Sequence, residues 1–121
     1  MRGAILACCL VILLMGCVSQ PVPLTAEQVL ASPENYSGKT LTLLATPEPG
    51  LTRCTMMACS EENPCCNSCG GQLTIGGISG IVIEGSTCSG NECNLSCSPM
   101  EQGVSYSITG TLSQKDGRWA L

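Results

Sequence analysis

The chain has 121 residues, with five Lys or Arg against nine Asp or Glu, eleven Cys, no His, no Phe and only three aromatic side chains (Tyr36, Tyr106 and Trp119). Without histidine there is no imidazole for haem, for His-containing zinc sites, for Cys-His or Ser-His nucleophile pairs, or for a histidine pH switch. The acidic balance, with no basic stripe and no interleaved aromatics, excludes binding to a phosphate backbone.

The opening MRGAILACCLVILLMGC has a positive start at Arg2, an apolar run over residues 4–15, and then Gly16 and Cys17. Twelve apolar residues are too few to span a bilayer as a helix, which takes roughly 20. The segment reads as a signal peptide over residues 1–16. Its end, Leu14-Met15-Gly16-Cys17, resembles the lipobox of prokaryotic lipoproteins through Leu14, Gly16 and Cys17. That resemblance implies cleavage after Gly16 and a diacylglyceryl thioether on Cys17, with Val18 pointing to an outer-membrane or outward-facing anchor. An ordinary signal peptide with an incidental cysteine is the alternative. Residues 17–24 then form a lipidated tether, because SQPVPL carries two prolines and does not begin a helix.

The folded domain is expected over residues 25–121. Thr25 and Gln28 fit a capping box, which predicts a short helix through about Ala31 that Pro33 ends. Residues 39–46 (KTLTLLAT) place Leu41, Leu43 and Ala45 on one face and Thr40, Thr42 and Thr46 on the other, with Leu44 as the apolar exception; this is a half-buried strand. Further strands are expected at 72–75, 80–84 and 104–112, with a weaker one at 51–58. Lys115-Asp116-Gly117-Arg118 reads as a hairpin turn leading back to 119–121. The fold class is therefore mainly β: a small barrel or sandwich of five or six strands with one short N-terminal helix, and no parallel βαβ units. Its core must come from Leu, Ile, Val and Ala, and a core that thin usually needs cross-links.

Two stretches, 29–46 and 103–112, resemble the first and a late strand of small prokaryotic OB-fold domains. The matching residues are Tyr36, Gly38 and Lys39, then Tyr106, Gly110 and Leu112. This resemblance implies an OB-like β domain; it does not extend to the cysteine-rich middle, and a shared fold does not assign a function.

Eight cysteines fall in the domain: Cys54, Cys59, Cys65, Cys66, Cys69, Cys88, Cys93 and Cys97. In an exported chain an even number implies disulfides. Five lie between residues 54 and 69 and three between 88 and 97, so complete pairing requires one or three bridges between the groups. Such a bridge closes a loop of roughly 20–40 residues, for which chain entropy suggests roughly 3–4 kcal/mol. The connectivity is open, since eight cysteines pair in on the order of a hundred ways. Cys65 and Cys66 are expected to have different partners, because a bridge between neighbours closes a strained small ring. Pro64, Gly70 and Gly71 supply turn geometry.

Two other uses of the same cysteines remain open. Cys66-Asn67-Ser68-Cys69 has C-x2-C spacing, but GGQLTIGG follows it rather than a helix that would depress a thiol pKa. Cys54 to Cys59, Cys66 to Cys69 and Cys93 to Cys97 offer soft sulfur ligands, with Met56 and Met57 between the first pair. They lack the paired knuckles of a zinc ribbon and the iron-sulfur run. Asn35-Tyr36-Ser37 and Asn94-Leu95-Ser96 match the glycosylation triplet, which matters only in a eukaryote; Glu61-Glu62 reads as a solvated loop tip, and Gly76-Gly77 as a turn. The expectation is a lipid-anchored cell-envelope lipoprotein facing the periplasm or the exterior. It is a binding or structural module and not an enzyme. It has no cofactor and no nucleic-acid partner, and it engages the membrane through its lipid and a protein or small-molecule ligand through its domain. The alternatives are a metal-binding or thiol redox protein, and a secreted protein without the lipid.

Overall fold

The computed structural model describes residues 22–121. The signal segment 1–16, the lipidation site Cys17 and the tether as far as residue 21 lie outside the described residues. Leu24–Thr25 (β1) already pairs in parallel with Leu43 and Leu44. Thr25 then caps the helix Ala26–Ala31 (α1). The Thr25 hydroxyl accepts from the Gln28 amide at 3.2 Å, and the Gln28 side chain accepts from the Thr25 amide at 2.9 Å. Both arms of the box are thus made, and two of the helix's free amides are satisfied. Pro33 occupies the start of a 3-10 turn, Pro33–Tyr36, where its missing amide costs nothing.

Thr40–Ala45 (β2) buries Leu41 and Leu43 and leaves Thr40, Thr42 and Leu44 outside, as its alternation predicts. It pairs antiparallel with Tyr106–Thr111 (β10) from Tyr106↔Ala45 to Thr111↔Thr40. On the outer face, cross-strand hydroxyl contacts link Thr40 to Thr111 and Thr42 to Thr109. With β1, these strands make a three-stranded sheet. The second sheet has five strands: Glu48–Pro49 (β3), Leu73–Ile75 (β6), Ile81–Val82 (β7), Ser113–Lys115 (β11) and Arg118–Ala120 (β12). β2 continues into β3 across Thr46 and Pro47, and β10 into β11 across Leu112. The two sheets therefore share two runs of chain and enclose the core between them. Leu112 keeps the ladder whole at its bend, donating to the Lys39 carbonyl and accepting from the Gly38 amide.

The third sheet contains Arg53–Cys54 (β4), Ser68–Gly71 (β5), Thr87–Asn91 (β8) and Asn94–Ser98 (β9). The weaker strand expected at 51–58 is reduced to two residues, Arg53 and Cys54. The hairpin β8–β9 has only a weak signature in the sequence: NLSCS alternates Leu95 and Cys97 with polar residues, but the Ser, Gly and Asn of both strands carry little β propensity. It forms because β5 supplies a pairing edge for β8 along four residues, Ser68↔Asn91 through Gly71↔Cys88.

Between these pairs and the inner pairs Thr74↔Val82 and Ile75↔Ile81, two residues (72–73) face five (83–87). The surplus forms a bulge. Such an irregularity strands backbone groups in the interior unless a side chain replaces the lost ladder bonds. Ser86, 1% exposed, does so: its hydroxyl accepts from the Leu73 amide at 3.0 Å and donates to the Ile83 carbonyl at 2.6 Å.

The core is aliphatic, as the composition requires. Val29, Leu41, Leu43, Leu73, Ile75, Ile81, Ile83 and Leu112 are buried together with Ala26 and Cys88, and Tyr36 and Trp119 pack partly against them. α1 lies over the β6–β7 turn, where a Cβ on Gly76 would meet the Leu30 side chain at 2.6 Å; Gly76 also has φ +80°, a conformation glycine adopts without strain. The outcome is the small, disulfide-rich, mainly β domain with one short N-terminal helix that the sequence predicts.

Candidate functional site

The eight cysteines come together in the third sheet and its loops, as four disulfides. Cys54–Cys69 and Cys88–Cys97 each join residues directly opposite one another on paired strands. Cys59–Cys66 ties the 55–67 loop to itself, and Cys65–Cys93 is the single bridge between the two groups. One cross-bridge satisfies the parity requirement, and the neighbours Cys65 and Cys66 take different partners. By register, Cys54, Cys69 and Leu95 share one face of the sheet with Cys88 and Cys97. Cys88 is part of the buried core, so its bridge fills space that a larger core would give to an aromatic ring. The sulfurs bonded in these pairs offer no thiolate for a nucleophile or a metal.

A buried amide organises the loop above this lobe. The Asn67 carbonyl oxygen accepts from the Met57 amide at 2.7 Å and from the Thr55 hydroxyl at 3.1 Å. Its amino group donates to the Met57 carbonyl at 3.2 Å and to Glu92 at 3.0 Å. The side chain thereby pairs with Met57 as a strand would, and it links the first cysteine group to the β8–β9 turn. Met56, 99% exposed, is left at the tip.

A cleft lies among β4, β7 and the β11–β12 hairpin. Its chemistry begins with the β11–β12 turn, where Asp116 has φ +50° and Gly117 φ +75°, the left-handed pair of a two-residue hairpin. That turn sets Lys115 directly across from Arg118. Like charges in opposed positions repel, and each needs a partner. Lys115 finds Glu84 at 2.6 Å, and Arg118 donates to the Ile78 carbonyl at 3.0 Å. Through its hydrogen bond first and its charge second, Glu84 holds the Lys115 ammonium above its ordinary value.

Arg53, on β4, completes the set across the cleft. The space between these residues is about 550 Å3, lined also by Gln72, Val82 and Glu84. Two smaller cavities adjoin it. One of about 230 Å3 shares Arg53 and Arg118 and reaches Leu51 and Thr74. The other, about 310 Å3, shares Arg118 and is walled by Leu51, Ile78 and Trp119. Three of the four cationic residues in 22–121 thus converge on one cleft of an acidic chain, while Lys39 lies apart.

Sequence reasoning missed this cleft. The hairpin turn signals that Lys115 and Arg118 are neighbours, but nothing local reports that Arg53, more than sixty residues away, meets them. No protein-family model matches the chain, and no curated protein or solved structure is detectably similar to it.

Proposed function

We propose that this chain is a cell-envelope lipoprotein, held to a membrane by lipid on Cys17, whose disulfide-stapled β domain is an OB-like binding module. The observation that carries this reading is the complete pairing of the eight domain cysteines. Four disulfides in so small a domain fit an exported protein in an oxidising compartment, in keeping with the signal segment and the LMGC sequence.

The strand order supports the OB-like reading. Run 40–49 is flanked by 68–75 and 106–115, and β7 lies parallel to β12, which pairs with β11. Five runs in this order fit the five-stranded, partly open Greek-key barrel, whose ligands sit against strands two and three and the loops joining strands one to two and four to five. Arg53 comes from the first of those loops, and Lys115 to Arg118 surround the second. Binding rather than catalysis fits the residues present, and a net charge of 4 − 9 = −5 over 22–121 disfavours nucleic acid.

Intact mass of the protein purified from membranes, measured with and without reduction before alkylation, tests the reading. The expected product starts at a lipidated Cys17, with eight cysteines alkylated only after reduction, and Cys17→Ala loses its membrane attachment. Alkylation without reduction would instead return the cluster to metal or redox chemistry, and unchanged release of Cys17→Ala would indicate a secreted protein without the lipid.

A further inference from the structure

We propose that the cleft binds a small amphipathic anion, with its carboxylate or phosphate held by Arg53 and Arg118 and its apolar body resting on Leu51, Ile78 and Trp119. This rests on the reading of the domain as a binding module and names the ligand class.

The charges around the cleft are not equivalent. Lys115 is neutralised by Glu84, the one ion pair among the described residues. Arg118 donates to a neutral carbonyl, so its positive charge is uncompensated. Arg53 has no carboxylate within ion-pair distance among the described residues. Two guanidinium groups without counter-ions therefore line the same two cavities. A planar guanidinium presents a fork of donors matched to two oxygens of a carboxylate or phosphate, and two forks around one space describe a site for a single anionic group.

The apolar half is as specific. Leu51 and Ile78 are 59% and 62% exposed although the core is short of large side chains. Together with Trp119 they wall the cavity that Arg118 shares. Arg118 reaches all three spaces, so an anion at the arginines and a hydrocarbon or ring on Trp119 form one continuous occupant. At about 550 Å3, this cleft falls within the roughly 300–1,000 Å3 of small-molecule sites. Asp116 in the cleft lining, and the acidic remainder of the chain, oppose a second anionic group. A ligand with several anionic groups is thereby disfavoured, and one with a single anionic group and an apolar body is not.

Trp119 is the sole tryptophan and lies in the site, so its indole N–H resonance and emission report occupancy directly. The experiment titrates the mature protein, disulfides intact, with phenyl phosphate, inorganic phosphate and phenol. Phenyl phosphate should saturate, binding more tightly than either fragment. Arg53→Gln, at an exposed position with no ion pair to lose, should weaken it at least about tenfold, since hydrogen bonds to charged groups are the strong class. Ile78→Ser should weaken phenyl phosphate and leave inorganic phosphate unchanged, and Lys39→Gln should change neither. If phenol binds as tightly as phenyl phosphate, or Arg53→Gln binds like the parent, the anionic assignment is overturned while the domain remains a binding module. If none of the three probes moves the Trp119 signals, the cleft is no ligand site; the anchoring and disulfide pairing, read separately by mass, are unaffected.

Discussion

Replacing Cys65 and Cys93 together by serine removes the only disulfide between the two cysteine groups. The bridge spans 28 residues, and the chain-entropy relation gives about 12 cal/mol/K for that loop, or about 3.6 kcal/mol at 25 °C. Spans of 15, 9 and 7 residues give about 3.0, 2.6 and 2.4 kcal/mol for the other three bridges, so this one should have the largest entropic effect. Its surroundings make the figure clean. Cys93 is exposed and Cys65 only half-buried, so serine at either position leaves no buried cavity. Urea unfolding followed by Trp119 emission should show a loss of about 3.6 kcal/mol and a somewhat larger m-value, because the unfolded chain is less constrained. In a domain of about 100 residues this corresponds to a fall in Tm of roughly 15–30 °C. A loss below about 1 kcal/mol would refute the reasoning: the Asn67–Glu92 contact and the β5–β8 ladder would then hold the two groups together without the cross-link.

Three further outcomes follow from the same geometry. Ser86→Ala leaves the Leu73 amide without its partner inside the bulge and should cost about 1–3 kcal/mol in the same unfolding assay, whereas Ser89→Ala on the exposed face of β8 should cost less than about 0.5 kcal/mol. Asn67→Ala should free the Met57 amide to exchange with solvent much faster while the Leu43 amide keeps its protection, since the first belongs to a loop held by one side chain and the second to a ladder. Because the Lys115 pKa is raised in the folded state, its contribution is complete below the ordinary value of 10.5 and is lost as pH climbs through the folded value. In Glu84→Gln, Lys115 should titrate nearer 10.5 by NMR, and the difference in stability between variant and parent should shrink as pH rises past that range.

Local chemistry was legible in the sequence wherever one segment carries its own instructions. Thr25 and Gln28 announced the cap, Pro33 the helix end, Leu41 and Leu43 the buried face of β2, and Asp116-Gly117 the turn, because each depends on backbone sterics or on side chains a few residues apart. Counting cysteines fixed that a bridge must cross between the groups. It left the choice of partners open, since connectivity depends on which Cβ atoms the fold brings within reach.

The strands of the cysteine-rich lobe were hidden for a related reason. Serine, glycine and asparagine at 87–98 have no intrinsic preference for a sheet, and they are held in one by an edge that β5 supplies and by the disulfides Cys88–Cys97 and Cys65–Cys93. By itself the sequence determined an aliphatic-cored, mainly β domain dependent on cross-links, with one helix and one sharp turn. Only the tertiary structure decided that Cys65 pairs with Cys93, that Ser86 seals a bulge, and that Arg53 joins Arg118 and Lys115 around one cleft. Each is a meeting of residues separated by a dozen or more positions, and such meetings are set by strand register and packing, which no local pattern encodes.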